Sequence, residues 1–217
     1  MRLCVGLLLM GWGLAGCAGG PQPTNATSVP ADAQDYGFDQ NRRVWVRGPW
    51  TAIQPSRDMD EVIDQLCPAI MELPLATFGA YGLEYCGAVY TLGEGTYYAS
   101  KPSPLHQNDG KGPASEKTCA PPNYVIDQRG HTILYLDYHS HPWPVSDLSE
   151  KDKKANRQIW PIRIQFDGRC TIHKLVPNLG SSRPGEAYER RGKTWVLTGL
   201  IHPEDKDSGR VTPITNP

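Results

Sequence analysis

Alternation of apolar and polar positions divides most of this chain into short strands. Arg43-Val-Trp-Val-Arg47 alternates cleanly and reads as a first strand. Residues 83–90 form a second, and residues 96–99, past the Gly93-Glu-Gly95 turn, are its hairpin partner. Residues 124–126 and 132–138 flank Gln128-Arg-Gly130 as another hairpin. Residues 162–166, the Asp167-Gly168 turn and residues 170–176 follow. Residues 188–190 and 194–201, around a Gly192 turn, close the series. Helical periodicity is confined to two places. After a cap at Ser56, residues Val62, Ile63 and Leu66 share a face, and the pattern resumes at Ile70, Met71, Leu73 and Leu75. Pro68 lies between and either kinks that helix or ends it. A second helix is expected over residues 148–159, capped by Ser146 or Asp147 with Glu150 in its first turn. The outcome is an α/β (α+β mixed) fold, a mixed sheet with helices at its sides and no internal repeat.

Composition narrows the class. The 217 residues suffice for one domain with a sizeable core, and 39% hydrophobic against 21% charged residues marks a globular chain. The 22 Gly and 20 Pro predict short elements and long loops. A net charge of −1 gives no reason to expect nucleic acid or an anionic membrane surface as partner.

The N-terminus reads as a processing segment. Met1-Arg2 is a basic start, Leu3 to Met10 is apolar, and small residues lead to Leu14-Ala-Gly-Cys17. This is a secretory signal over residues 1–16, too short and Gly-rich to span a bilayer. Its end resembles a bacterial lipobox, which implies cleavage before Cys17 and acylation of that residue. Two or more acyl chains anchor a protein stably to a membrane. Residues 17–38 are then a flexible tether and residues 39–217 the folded domain. Ala18 rather than Asp after the Cys points, by analogy with enteric lipoproteins, to the outer membrane, facing the periplasm.

Four further cysteines, Cys67, Cys86, Cys119 and Cys170, read as two disulfides in an oxidising compartment, with three connectivities open. No Cys-x-x-Cys spacing suggests a thiolate-bound metal. The long loop over residues 101–122 is functional or tied down, and Cys119 is the residue able to tie it.

The chemistry concentrates in Tyr138-His-Ser-His-Pro142 and the residues after it. Successive side chains alternate in a strand, so His139 and His141 project to one face. On the following helix Ser149 and Asp152, three apart, share a face. Two imidazoles and a carboxylate supply three ligands to a borderline metal and leave a fourth position for water, the pattern of a catalytic zinc site. Upstream, Glu84 is a carboxylate in an otherwise apolar strand.

These residues resemble the JAMM (JAB/MPN+) metallopeptidases. Glu84 in Glu-Tyr-Cys-Gly87, His139-Ser-His-Pro142 and Ser149-Glu-Lys-Asp152 follow that family's order and spacing. Glu94 also lies upstream, beside a Gly turn rather than in a strand. The resemblance implies a JAMM/cytidine-deaminase-like sheet flanked by helices, with zinc held by His139, His141 and Asp152 and a water in the fourth position. It implies Glu84 as general base and the Ser149 hydroxyl as hydrogen-bond donor to the oxyanion. Asp137 or Asp147 is placed to orient a ligand histidine. His106, His131, His173 and His202 have no partners at ligand spacing and read as surface residues. The expected partner is a peptide or isopeptide substrate in the cell envelope, peptidoglycan peptides being nearest by location. A toxin-like or effector-like protease and a non-enzymatic, zinc-stabilised envelope binding module are the alternatives. An export signal and disulfides set the chain apart from the cytosolic members of that family.

Overall fold

The computed structural model describes residues 34–106 and 118–214. The expected signal over residues 1–16, Cys17 and most of the expected tether lie outside those residues. In chain order the elements are β1 (Tyr36–Phe38), β2 (Val44–Arg47), α1 (Met59–Met71), β3 (Cys86–Thr91), β4 (Tyr97–Ala99), β5 (Tyr124–Ile126), β6 (Ile133–Ser140), α2 (Glu150–Lys153), β7 (Arg163–Phe166), β8 (Ile172–Val176), β9 (Gly185–Arg191), β10 (Thr194–Ile201) and β11 (Thr212–Pro213). The class is mixed α and β, dominated by strands. Strand β1 pairs antiparallel with β2, so residues given to the tether belong to the folded unit, which starts at Gln34 rather than at residue 39.

Eight strands form one sheet in the order β11-β10-β9-β8-β7-β6-β3-β4, and β1, β2 and β5 form a small second sheet. Only β6 and β7 pair in parallel within the large sheet. The expected hairpin between residues 124–126 and 132–138 does not form. Strand β5 instead pairs in parallel with β2, Val46 opposite Val125. Burial decides this, because Val44, Val46 and Val125 join Ala88 and Tyr90 in an apolar cluster. A single side-chain bond, Thr132 Oγ1 to the Val125 carbonyl at 2.9 Å, links the two segments expected to pair.

Helix α1 turns Val62, Ile63, Leu66, Cys67 and Ile70 inward, the stripe its 3.6-residue period dictates. Its N-cap is Asp58, which accepts from the Asp60 amide; Ser56 bonds the Glu61 carboxylate instead. The helix runs through Pro68, whose ring faces solvent. Its buried stripe packs on Tyr85, Val89, Leu136, Tyr138, Ile164 and Phe166, while Ala88 and Tyr90 face the small sheet. Strand β3 is therefore covered on both sides and buried along its whole length. Gly87 leaves no room for a Cβ because the Tyr138 ring of β6 lies against it. The fit of Gly87 against the Tyr138 ring marks the β3–β6 register, since a one-residue slip would bring a residue with a side chain against that ring.

The second helix is one turn, not the twelve-residue span expected over 148–159. Past Lys153 the sequence offers only Ala155 and Ile159 as apolar residues, too few to bury a longer helix. Lys154 leaves the helical backbone, and Gln158 Nε2 donates to the freed Asp152 and Lys154 carbonyls at 2.9 and 3.2 Å. The cap is Ser149, rather than Ser146 or Asp147.

Both disulfides form, Cys67–Cys170 between α1 and the turn after β7, and Cys86–Cys119 between β3 and the residues before β5. Leu66→Ala deletes a fully buried side chain between α1 and the sheet. It should cost about 2–5 kcal/mol of unfolding free energy in a urea titration, with the slope unchanged.

Candidate metal centre

Strand register sets the first half of the site. Cys86 lies opposite His139, and two bonds carry the pairing beyond the end of β3. The Ser140 amide donates to the Tyr85 carbonyl, and the Tyr85 amide donates to Ser140 Oγ, each at 3.0 Å. Continuing that antiparallel register puts Glu84 opposite His141. The expected strand over 83–90 thus begins three residues late, at Cys86, because a side-chain oxygen rather than a carbonyl takes the Tyr85 N–H. Gly82 packs against Pro142 with no space for a Cβ, and the Gly79 amide donates to the Pro142 carbonyl at 2.9 Å. These contacts press the Glu84 segment onto the histidines.

The second half is local. Ser149 Oγ accepts from the Asp152 amide at 3.1 Å, and Asp152 Oδ2 accepts from the Ser149 amide at 3.2 Å, a reciprocal capping box. Ser149 Oγ also donates to Asp152 Oδ2 at 2.5 Å.

His139, His141 and Asp152 are all buried, and one ligand atom from each falls within 4.8 Å of the others. His139 Nε2 is 3.4 Å from Asp152 Oδ1, and His141 Nε2 is 3.5 Å from Asp152 Oδ2. Yet His139 Nε2 and Nδ1 make no hydrogen bond, although both atoms are buried. Buried polar atoms are ordinarily satisfied, so convergence without bonding suits a shared cation better than an internal hydrogen bond. Two imidazole nitrogens and one carboxylate oxygen are a donor set suited to zinc and its neighbours. Glu84 stands beside them, Oε1 3.9 Å from His141 Nε2, and its Oε2 accepts from the Cys119 amide at 3.3 Å.

Electrostatics follow from burial. Removal from water pushes Glu84 up to about 7, with His141 pulling the other way and Asp152 adding to the rise. Burial holds His139 below its ordinary value, against the pull of Asp152, and so keeps the ring neutral as a ligand must be. Burial acts to raise Asp152, but His139, His141 and Arg163 outweigh it and hold the carboxyl well below the usual carboxylate range.

Of the residues singled out from the sequence, Glu84, His139, His141, Ser149 and Asp152 all line one cleft of about 710 Å³. Glu94 is exposed in the turn between β3 and β4. Asp137 does not reach a histidine: it accepts from Arg163 Nε at 2.9 Å and Nη2 at 2.8 Å. Asp147 lies 3.9 Å from His173 Nε2, and His173 is largely buried rather than on the surface. The orienting role instead falls to Ser146, whose Oγ is 2.6 Å from His141 Nδ1. Ser146 is fixed in turn by Asp167 Oδ2, which accepts its amide, and by Gln165 Nε2, which donates to its carbonyl.

Arg163 is the other residue that sequence reasoning passed over. It donates to Asp152 Oδ1 at 3.0 Å while gripping Asp137. Its signal was present in Ile162-Arg-Ile-Gln-Phe166, where Arg163 and Gln165 put two long polar side chains on one face of a strand flanked by apolar residues. Compared with known proteins, the chain matches no family model, no curated protein and no solved structure.

A divalent ion should bind the three converging groups. Adding Zn²⁺ to chelator-treated protein, at about a hundredfold excess over its dissociation constant, should stabilise the fold by about 2.7 kcal/mol. For a chain of this size that is a rise of roughly 5–10 °C in melting temperature. His141→Ala and Asp152→Asn should abolish the rise in a calorimetric scan.

Proposed function

We propose that this domain is a zinc-dependent peptidase or isopeptidase of the JAMM type, working in the bacterial cell envelope. One observation carries the reading. The buried His139–His141–Asp152 group meets the Glu84 carboxylate at the floor of a cleft large enough for a peptide segment. The order and spacing of these residues resemble the JAMM pattern, and a mixed sheet with the histidines at the end of a central strand suits a JAMM/cytidine-deaminase-like fold. The two disulfides hint at an oxidising compartment, which suits the export, outer-membrane anchoring at Cys17 and periplasmic exposure proposed from the N-terminal sequence.

A zinc ion held by these residues supplies Lewis acidity, which in comparable sites brings the pKa of water down to about 7. Glu84 takes a proton from the attacking water and returns it to the departing amine nitrogen. His141 keeps its Nε2 turned inward because Nδ1 is engaged by Ser146. Ser149 caps α2 and holds Asp152, and its hydroxyl must turn from Oδ2 toward the cleft to meet a developing oxyanion. The apolar rim of Trp143 and Ile159, with the exposed cations Lys151 and Arg157, borders the substrate path.

A zinc-stabilised binding module is the second reading, and the full engagement of Asp152 by Ser149 and Arg163 favours it. Mass spectrometry separates the two. Muropeptides and peptide or isopeptide substrates are incubated with zinc-loaded wild type and with Glu84→Gln. Wild type should release a new amine and carboxylate, and the variant should slow this by roughly 10²–10⁴-fold while binding zinc normally. Substrates left intact by zinc-loaded wild type would remove the hydrolase reading. Ser149→Ala should lower turnover by roughly 10²–10³-fold and also lose about 1 kcal/mol of helix capping, read from chemical denaturation.

A further inference from the structure

Three features meet around the second disulfide. Cys86 lies opposite the ligand His139 in the β3–β6 pairing, so the bridge begins within the site. Its other end, Cys119, carries the amide that donates to Glu84 Oε2. Residues 118–121 then run along the cleft as one of its walls. Among the described residues, Ala120 is tucked into the apolar cluster under the small sheet and few further hydrogen bonds hold this strap. Pro121 and Pro122 have no amide to donate, which leaves the Ala120 amide on the Leu105 carbonyl at 2.7 Å, the Asn123 amide on the Val44 carbonyl at 2.8 Å with the Val44 amide on Asn123 Oδ1 at 3.1 Å, and the Trp160 indole on the Pro122 carbonyl at 3.1 Å. Neither Cys67 nor Cys170 lines the cleft.

We propose that the Cys86–Cys119 disulfide is a positioning element of this site, which makes the site fully competent only in the oxidised chain. It pins the Cys119 amide onto Glu84 and closes residues 118–121 over one side of the cleft. The inference rests on the hydrolase reading for its consequence, but its geometry can be tested alone. Closure requires the Cys86 and Cys119 thiols to give up two electrons and two protons to a disulfide oxidant, which leaves as a dithiol. The chain is then weakly active while its thiols are reduced and fully active once they are bridged. His139, His141 and Asp152 are attached to β6 and α2, so metal binding does not require the strap.

The test compares wild type, Cys86→Ala/Cys119→Ala and Cys67→Ala/Cys170→Ala as full folded domains. Readouts are zinc affinity by chelator competition, amide exchange at residues 118–123, and turnover on the substrate found with wild type. Opening the strap should leave zinc affinity unchanged, remove protection at Cys119 and Ala120, and reduce kcat by roughly 100-fold, the lower range of a lost general base. Opening the other bridge, which closes the longer loop, should lower the melting temperature more but leave kcat near wild type. Strap amides as protected as in wild type, or an unreduced kcat, would overturn the proposal. If wild type cleaves nothing, the hydrolase reading fails by itself, and the exchange pattern still decides whether the bridge holds the strap.

Discussion

The Asp152 carboxylate is shared by an arginine, a serine and two imidazoles, and the site depends on that sharing. A buried carboxylate is tolerated only with charged or hydrogen-bonding partners around it. Asp152 receives Arg163 at one oxygen and Ser149 at the other, which leaves both oxygens within 3.5 Å of a histidine Nε2. Arg163 is itself largely shielded from water and is held in place by Asp137. Breaking such a buried pair by removing one partner typically costs about 3–5 kcal/mol, well above the value of an exposed pair. The polar network is therefore as firm a constraint as the apolar core beneath it.

That core supplies the frame. Strand β3 lies between α1 on one face and the small sheet on the other, and its pairing with β6 puts Glu84 level with His141. The parallel partner β7 brings Arg163 and Gln165 alongside, Gln165 opposite His139. The turn after β7 contributes Asp167, which organises the loop carrying Ser146. One side of the centre is thus set by strand register and the other by a single helical turn.

The histidine pair was legible in the sequence because strand periodicity requires residues two apart to share a face. Asp152 was legible because Ser149 lies three residues before it. Most of the large sheet followed from the same alternation. What the sequence left open was settled by contacts between segments distant along the chain. Residues 148–159 carried a plausible helical start but too few apolar residues to bury more than one turn, and the freed Asn156 amide bonds the Lys206 carbonyl instead. Strand β5 found β2 rather than its neighbour because the apolar cluster lay there. Ser146 and Asp167 belong to the site through topology, and their spacing has no regularity to read; Arg163 stood out as a polar residue in an apolar strand, but its pairing with Asp152 did not. Pairing among four cysteines is likewise a matter of which ends meet in space.

The reciprocal Ser149–Asp152 cap has one further consequence. In small metal-nucleated domains the ligands are disordered until the ion arrives, and stripping it unfolds the chain. Here the Asp152 carboxylate is held by its own helix start and by Arg163, through contacts that the chain makes with itself. The apo form should therefore persist as a native scaffold, able to exchange one divalent ion for another without refolding.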